Sequence, residues 1–264
     1  MIREKTIILW NKKITSSYYN IGIKTDEEFS FSKPGQFIML SLPGRHPFLR
    51  RPFSIHRLIE KKGTVVGVEL LYKVVGELTG ILAHVKEGEP VDLLGPLGNG
   101  FLIKNNFHRI FIVAGGIGVA PMLFFALHLR SKGFDLCRCT LFIGGRSQKD
   151  ILCADIFADM GVEVEIATED GTCGKKGLVT DLLNTRLKKD IADIIFACGP
   201  VPMLKQVAKI ARLDGIKCQI STESVMACGV GACLGCAVKV KNNSDKYMHV
   251  CVDGPVFDST DFGA

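Results

Sequence analysis

No stretch of this chain stays apolar for the ~20 residues that a membrane span needs, because the longest greasy runs contain glycine or charge. A membrane-spanning helix is therefore not expected. No secretion signal is legible either: Met1-Ile2-Arg3-Glu4-Lys5 reads as a cytoplasmic start. Dense basic tracts are missing. Lys and Arg number 33 against 27 Asp and Glu, a net charge of +6, yet the noticeable basic runs are the pairs Lys61-Lys62, Lys175-Lys176 and Lys188-Lys189. Such pairs are ordinarily solvated, and nucleic-acid binding is not expected. Internal repeats, low-complexity linkers and a G-x-G-x-x-G fingerprint are also lacking, and the last of these disfavours a standard Rossmann dehydrogenase.

What the chain does have is cysteine. Ten occur among 264 residues, and 47% of the residues are hydrophobic, enough for a large core. A chain of this length does not need disulfide staples, so the cysteines point to a reducing compartment and a cytoplasmic protein. Four of them form Cys228-x4-Cys233-x2-Cys236-x14-Cys251, the spacing of a plant-type 2Fe–2S site. Three thiolates must converge from one loop, which requires tight bends. Gly229, Gly231 and Gly235 are expected to supply them and to let amides approach the sulfurs. Zinc is the rival occupant, but zinc ligands usually come as two compact knuckles rather than three on a loop and one apart. The other six, Cys137, Cys139, Cys153, Cys173, Cys198 and Cys218, are expected mostly in the core.

Residues 1–101 read as β-structure. Short apolar stretches (Thr6–Trp10, Gln36–Leu42, Val65–Lys73, Pro90–Leu94) alternate with turns such as Pro34-Gly35, which suggests a small barrel. From residue 102 to 220 the pattern is strand–helix alternation. Strands are expected at 109–114, 139–143, 162–167 and 193–197, and helices from Pro121 to near Gly133, over 149–160, 178–187 and 201–213. That alternation implies a parallel sheet covered on both faces. Residues 221–264 form the cysteine-bearing module. Residues 102–108 and 241–249 carry no signal beyond loop or edge.

Two glycine-rich or punctuated sites fall at strand ends. Gly115-Gly116-Ile117-Gly118-Val119-Ala120-Pro121 lies between a strand and a helix, where glycines admit a dinucleotide and the helix start attracts phosphate. Cys198-Gly199-Pro200 closes the next-to-last strand. No base stands near Cys198 in the sequence, so a nucleophilic role is not expected.

Arg51-Pro52-Phe53-Ser54 resembles the R-P-x-S flavin signature of the ferredoxin reductase superfamily. The resemblance implies that Arg51 contacts flavin phosphates and that Ser54 sits near the isoalloxazine. Leu71-Tyr72-Lys73 followed by Gly76-Glu77-Leu78-Thr79 is similar to that superfamily's second flavin segment, with Leu78 where glycine is usual. By the same resemblance Gly115, Gly116 and Gly118 meet the dinucleotide, and Cys198, Gly199 and Pro200 lie by the nicotinamide with Met203 just beyond. These motifs, their order, the turn Gly95–Phe101 and the tail Cys251-Val252-Asp253-Gly254-Pro255-Val256-Phe257 together resemble the electron-transfer subunits of NAD-dependent dihydroorotate dehydrogenases.

That resemblance covers essentially the whole chain. It implies FAD, a 2Fe–2S cluster, NAD(H), a place in pyrimidine biosynthesis and an FMN-bearing catalytic partner in a heterotetramer. Size agrees: three modules use all 264 residues, leaving no room for a ~250-residue (β/α)₈ barrel. The alternatives are the small subunit of a ferredoxin–NADP oxidoreductase, sulfide dehydrogenase or hydrogenase complex, or a zinc-structured binding or redox-sensing module. Arg146 ends a strand where it could meet a 2′-phosphate, but the resemblance favours NADH and a solvated arginine.

Overall fold

The structure, a computed structural model, describes residues 2–104, 107–240 and 243–261, with the backbone alone for 243–246. The expected outer limits at Met1 and Ala264 lie outside the described residues, as do parts of 102–108 and 241–249.

The first half is an antiparallel sheet. Its strands are β1 (Ile2–Lys13), β2 (Tyr18–Lys24), β3 (Phe37–Ser41), β4 (Arg51–Ser54), β5 (Arg57–Lys61), β6 (Thr64–Lys73) and, after the short helix α1 (Glu77–Leu82), β7 (Pro90–Leu97). They lie in the order β4-β3-β7-β1-β2-β6-β5. Ile8, Ile21, Ile23, Ile38, Leu40, Leu70 and Leu93 meet inside the curved sheet and are sealed from water. Among the described residues β4 pairs only with β3. This edge place lets Pro52, which has no N–H to donate, sit within a strand. β2, β4, β5 and α1 have no counterpart among the strands and helices expected from the sequence; each is short or interrupted by polar residues.

The second half is mainly parallel. It comprises β8 (Ile110–Gly115), α2 (Ala120–Ser131), β9 (Cys139–Gly145), α3 (Ala154–Asp159), β10 (Glu163–Thr168), β11 (Lys175–Lys176), α4 (Val179–Leu187), β12 (Ile194–Cys198), α5 (Val201–Leu213) and β13 (Lys217–Ser221). Every residue of β8 and β12 is buried, as strands covered on both faces must be. The helix expected over 149–160 is shorter than the sequence suggested. Gln148–Asp150 is a 3₁₀ turn and α3 begins at Ala154. Cys153 breaks the run between them with φ 61°, in the left-handed region.

Sheet order is β11-β10-β9-β8-β12-β13-β16. Chain order reverses between β8 and β12, which makes the crevice beyond their carboxyl ends the topological switch point where such sheets bind ligands. The last strand, β16 (Val256–Asp258), follows the hairpin β14 (Ala237–Val240) and β15 (Asn243–His249). It joins the parallel sheet antiparallel to β13, with Ile220 opposite Phe257. The cysteine-bearing segment is thus tied at its far end into the nucleotide-type sheet. Among the described residues no helix is long and apolar enough to cross a membrane.

Candidate functional site

A cleft of about 380 Å³ opens between the antiparallel sheet and the start of α2. One wall is Arg51, Pro52, Phe53 and Ser54 of β4, with Leu71, Tyr72 and Lys73 from the end of β6 beside them. Leu78 and Thr79, from the first turn of α1, close one side. Ile117, Ala120 and Pro121 face them from the nucleotide-type half, and Cys198 and Glu223 also border the space. The structure therefore gathers Arg51–Ser54 and Leu71–Lys73, which are separate in sequence, onto one concave surface.

Arg51 Nη1 donates to the carbonyls of Leu49 (2.9 Å) and Arg50 (3.3 Å). Among the described residues its remaining N–H groups have no protein acceptor, and a guanidinium suits a phosphate oxygen. Thr79 lines the cleft with its hydroxyl engaged in its own turn. Its Oγ1 accepts the N–H groups of Val75 (3.0 Å) and Gly76 (3.1 Å) and donates to the Gly76 carbonyl (3.0 Å). The hydroxyl is consumed in shaping the turn, so backbone amides, not this hydroxyl, are offered to the cleft. Leu78 is helical and only 3% exposed, so its side chain packs into the sheet core and glycine is not needed there.

Lys73 reaches out of the cleft to the other half of the molecule. Its Nζ lies 3.2 Å from Asp150 Oδ1 and 4.9 Å from the centre of the Tyr18 ring. Tyr18 donates its hydroxyl to the same oxygen at 2.6 Å, while the Arg146 amide donates to Asp150 Oδ2 at 3.2 Å. Partial burial opposes ionisation of Asp150, but the bonds from Tyr18 and Lys73 prevail and hold its carboxyl below the usual range. The side chain of Arg146 is exposed.

Gly115, Gly116, Gly118, Gly199 and Pro200 do not themselves line this cleft; they belong to the two turns, after β8 and β12, that pack closely on each other beside it. A Cβ on Gly118 would overlap the Cys198 carbonyl, and one on Gly115 would stand 2.7 Å from Met203 Sδ. The turns after β8 and β12 can approach this closely only because those residues are glycine. Burial, reinforced by Glu223, pushes the Cys198 thiol up to about 12, so it is a neutral thiol at pH 7. Glu223 borders the cleft while remaining exposed to solvent. Glu223 was not singled out in the sequence, since it belongs to no motif and reaches the cleft only through the path of the chain after β13.

The four cysteines come together at the opposite side of β3. Cys236 and Cys251 are 2% and 3% exposed, with their sulfurs 3.3 Å apart. The long gap between them is the β14–β15 hairpin: Ala237 pairs with His249, and Val250 N donates to the Cys236 carbonyl at 3.1 Å. Cys228 accepts the amides of Val230 and Cys233, both at 3.4 Å, and Cys251 accepts that of Gly231 at 3.2 Å. Partial burial works against the Cys228 thiolate, but these amides outweigh it and bring the thiol down to about 6. Burial and the adjoining Cys236 thiol push Cys251 up to about 12.

Gly229 and Gly231 adopt φ 74° and 80°, as the bends require; the third left-handed residue is Leu234 at 59°, not Gly235. Among the described residues no three Cys, His, Asp or Glu side chains converge on a single-ion site. Four thiolates are what a two-iron cluster takes, and amides donate to two of them, Cys228 and Cys251. Of the remaining cysteines, Cys139, Cys198 and Cys218 are buried, while Cys153 and Cys173 are half-buried and Cys137 is exposed. Half of that expectation therefore fails.

β3 stands between the two sites. Met39 pairs with Pro52 and Phe37 with Ser54, so the side chains within each pair point the same way. Pro52 and Ser54 line the cleft. Phe37 and Met39 pack instead with Cys236, Cys251 and Val250. One strand separates the cleft from the cysteine loop.

Comparison with known proteins agrees with this layout. Residues 223–263 match the family profile described as the iron-sulfur cluster binding domain of dihydroorotate dehydrogenase B. Residues 112–209 match an oxidoreductase NAD-binding domain. A relative from Caldanaerobacter subterraneus subsp. tengcongensis, named as the electron transfer subunit of dihydroorotate dehydrogenase B (NAD(+)), is 40% identical over 256 residues, covering 96% of this chain and 95% of its own. A solved NADH-dependent reduced ferredoxin-NADP oxidoreductase, studied for flavin-based electron bifurcation, superposes with a TM-score of 0.83 at 29% identity, over 97% of this chain and 88% of that one. A ferredoxin NADP+ reductase from Neisseria gonorrhoeae, solved with FAD and NADP, shares the fold at a TM-score of 0.66 and 18% identity, over 81% of this chain and 92% of that one.

Proposed function

The chain belongs to the family of electron-transfer subunits of NAD-dependent dihydroorotate dehydrogenase B, and we propose that it passes electrons between a dehydrogenase partner and NAD. FAD, when bound, exchanges hydride with NAD and single electrons with a 2Fe–2S cluster, which is the conversion such a relay needs. The chain's residues supply the places. Arg51 takes the flavin's phosphates with the amides at the start of α1, and Ser54 and Tyr72 border its ring. The Gly115–Gly118 turn holds the dinucleotide, and the Cys198–Pro200 turn backs the nicotinamide. Cys228, Cys233, Cys236 and Cys251 hold the cluster.

The observation that carries this reading is the strand between the two sites: β3 pairs with the cleft strand β4 and packs, through Phe37 and Met39, with the cysteine-bearing segment. An arrangement that separated them by the thickness of a domain would not serve an electron relay. The partner would be an FMN-bearing dihydroorotate dehydrogenase subunit, in a cytoplasmic heterotetramer that serves pyrimidine biosynthesis.

A second reading is favoured by the similarity to the NADH-dependent reduced ferredoxin-NADP oxidoreductase: the small subunit of a larger iron–sulfur flavoprotein complex. One anaerobic purification distinguishes them. Flavin and two irons per chain, together with a co-purifying subunit that oxidises dihydroorotate, are expected. A large iron–sulfur flavoprotein in its place would establish the second reading, and zinc without flavin would overturn both.

A further inference from the structure

A buried hydrogen bond joins the two walls of the cleft. His56 follows β4 by two residues and is 2% exposed. Its Nδ1 lies 2.7 Å from the carbonyl oxygen of Ala120, the first residue of α2. A carbonyl can only accept, so Nδ1 carries the proton. Burial keeps the imidazole pKa below its ordinary value, so the ring is neutral and Nε2 is bare.

The backbone of His56 is held by the antiparallel sheet. The His56 amide donates to the Glu69 carbonyl at 2.9 Å. The Glu69 carboxylate, itself 2% exposed, stands 3.9 Å from Nε2, too far for a hydrogen bond. It is engaged instead by Arg57 Nε at 2.7 Å and Asn20 Nδ2 at 2.6 Å, and Asn20 Oδ1 accepts Trp10 Nε1 at 2.8 Å. His56 is thus anchored in the antiparallel sheet, and its one free donor points across the seam.

The bond lies beside the cleft, with Ala120 in its lining and His56 just behind it. Ser54, two residues before His56, and Ala120 itself line opposite walls. We propose that His56 is a positioning residue whose Nδ1–H bond to Ala120 sets the separation of the flavin wall from the nucleotide wall, and so the alignment of flavin and nicotinamide. This rests on the cofactor assignment made above. Hydride transfer tolerates little misplacement, about 100-fold in rate per ångström in unfavourable cases.

Two substitutions of similar polarity separate the bond from mere packing. His56→Asn keeps an N–H donor where Nδ1 stands; His56→Gln moves it out toward the place of Nε2. The flavin-loaded protein would be mixed anaerobically with NADH in single turnovers, recording flavin bleaching, the NADH dissociation constant and the long-wavelength flavin–nicotinamide absorption. The Asn variant is expected to behave as the parent. The Gln variant is expected to keep FAD and NADH affinity but to bleach about 10- to 100-fold more slowly, with weaker long-wavelength absorption.

Equal behaviour of the two variants, fast or slow, overturns the proposal. So does a Gln defect confined to NADH affinity, or loss of FAD from the Gln variant alone. The ¹⁵N shifts of the His56 imidazole give a readout that needs no cofactor: a proton on Nε2 rather than Nδ1 also overturns it. A parent protein that binds no flavin would sink the cofactor assignment instead, leaving the tautomer measurement to judge the bond.

Discussion

Gly229 of the cysteine loop rests directly on Met39 of β3: a Cβ on the glycine would stand 2.6 Å from Met39 Cγ and 3.1 Å from its Sδ. Gly229 also has φ 74°, a conformation that β-carbons oppose. It is the neighbour of Cys228, while Met39 faces Pro52 of the cleft wall. The contact therefore fixes how closely the cluster loop lies against the flavin strand.

Gly229→Ala is accordingly expected to cost about 1–3 kcal/mol in stability and to lower iron content, through both the left-handed strain and the overlap. Met39→Ala in the same chain removes the overlap but not the strain, so it should restore part of the loss. A double-mutant cycle on thermal or denaturant unfolding, with iron counted per flavin, measures the split. Strict additivity of the two changes would show that the pair is not in contact.

The sequence was legible where one residue type is tied to one geometry. The cysteine spacing announced the loop, and the apolar runs of β8 and β12 announced a parallel sheet. What it concealed depends on long-range placement. That 14 residues between Cys236 and Cys251 form a returning hairpin is not visible from their polar composition. Nor could the sequence show that β16 crosses back to pair with β13, or that Glu223 turns into the cleft. Nor is it legible in the sequence that the Thr79 hydroxyl is engaged within its own turn, since that depends on the local path of the backbone.

Cys236→Ser removes one of the two buried sulfurs, and with it a thiolate that oxygen replaces poorly on iron. The expected result is loss of the red-brown absorbance and of electron passage to the partner. NADH oxidation by an artificial two-electron acceptor should persist, because the cleft lies on the other side of β3. Parallel assays with the partner and with the artificial acceptor decide this. Loss of both activities would assign the loop a structural role in holding the cleft.

Acid sensitivity should begin above the carboxylate range. An imidazole in the unfolded chain takes up its proton near pH ~6.5. His56 resists that proton in the folded state because it is buried. The unfolded chain therefore binds more protons, and stability falls as pH drops through ~6.5 toward the lower folded value. His128 is shifted down as well, by burial and by Lys132, and adds to the same slope. Asp92 and Asp150 are held below their ordinary values, so their contributions fade only at lower pH. Denaturant unfolding between pH 5 and 8 should thus show a shallower slope for His56→Asn than for the parent. Identical slopes would show that His56 is protonated in the fold.

Thr79 offers the sharpest distinction between shaping a site and touching a ligand. It is the third residue of α1, and its hydroxyl reaches back to the amide of Gly76, which precedes the helix, the reciprocal half of a capping box. It also takes the Val75 amide and returns its own proton to the Gly76 carbonyl. Thr79→Ala frees both amides and loosens the turn at a cost of about 1 kcal/mol. Val75, Gly76 and Glu77 all line the cleft, so the loosened turn should hold FAD less tightly. Thr79→Ser keeps the hydroxyl and loses only a methyl, and should retain FAD as the parent does. FAD release on dilution, followed by fluorescence, measures both. If Ser and Ala release FAD equally fast, the methyl's packing rather than the hydroxyl's bonds holds the turn. If neither differs from the parent, α1 does not bear on the flavin at all.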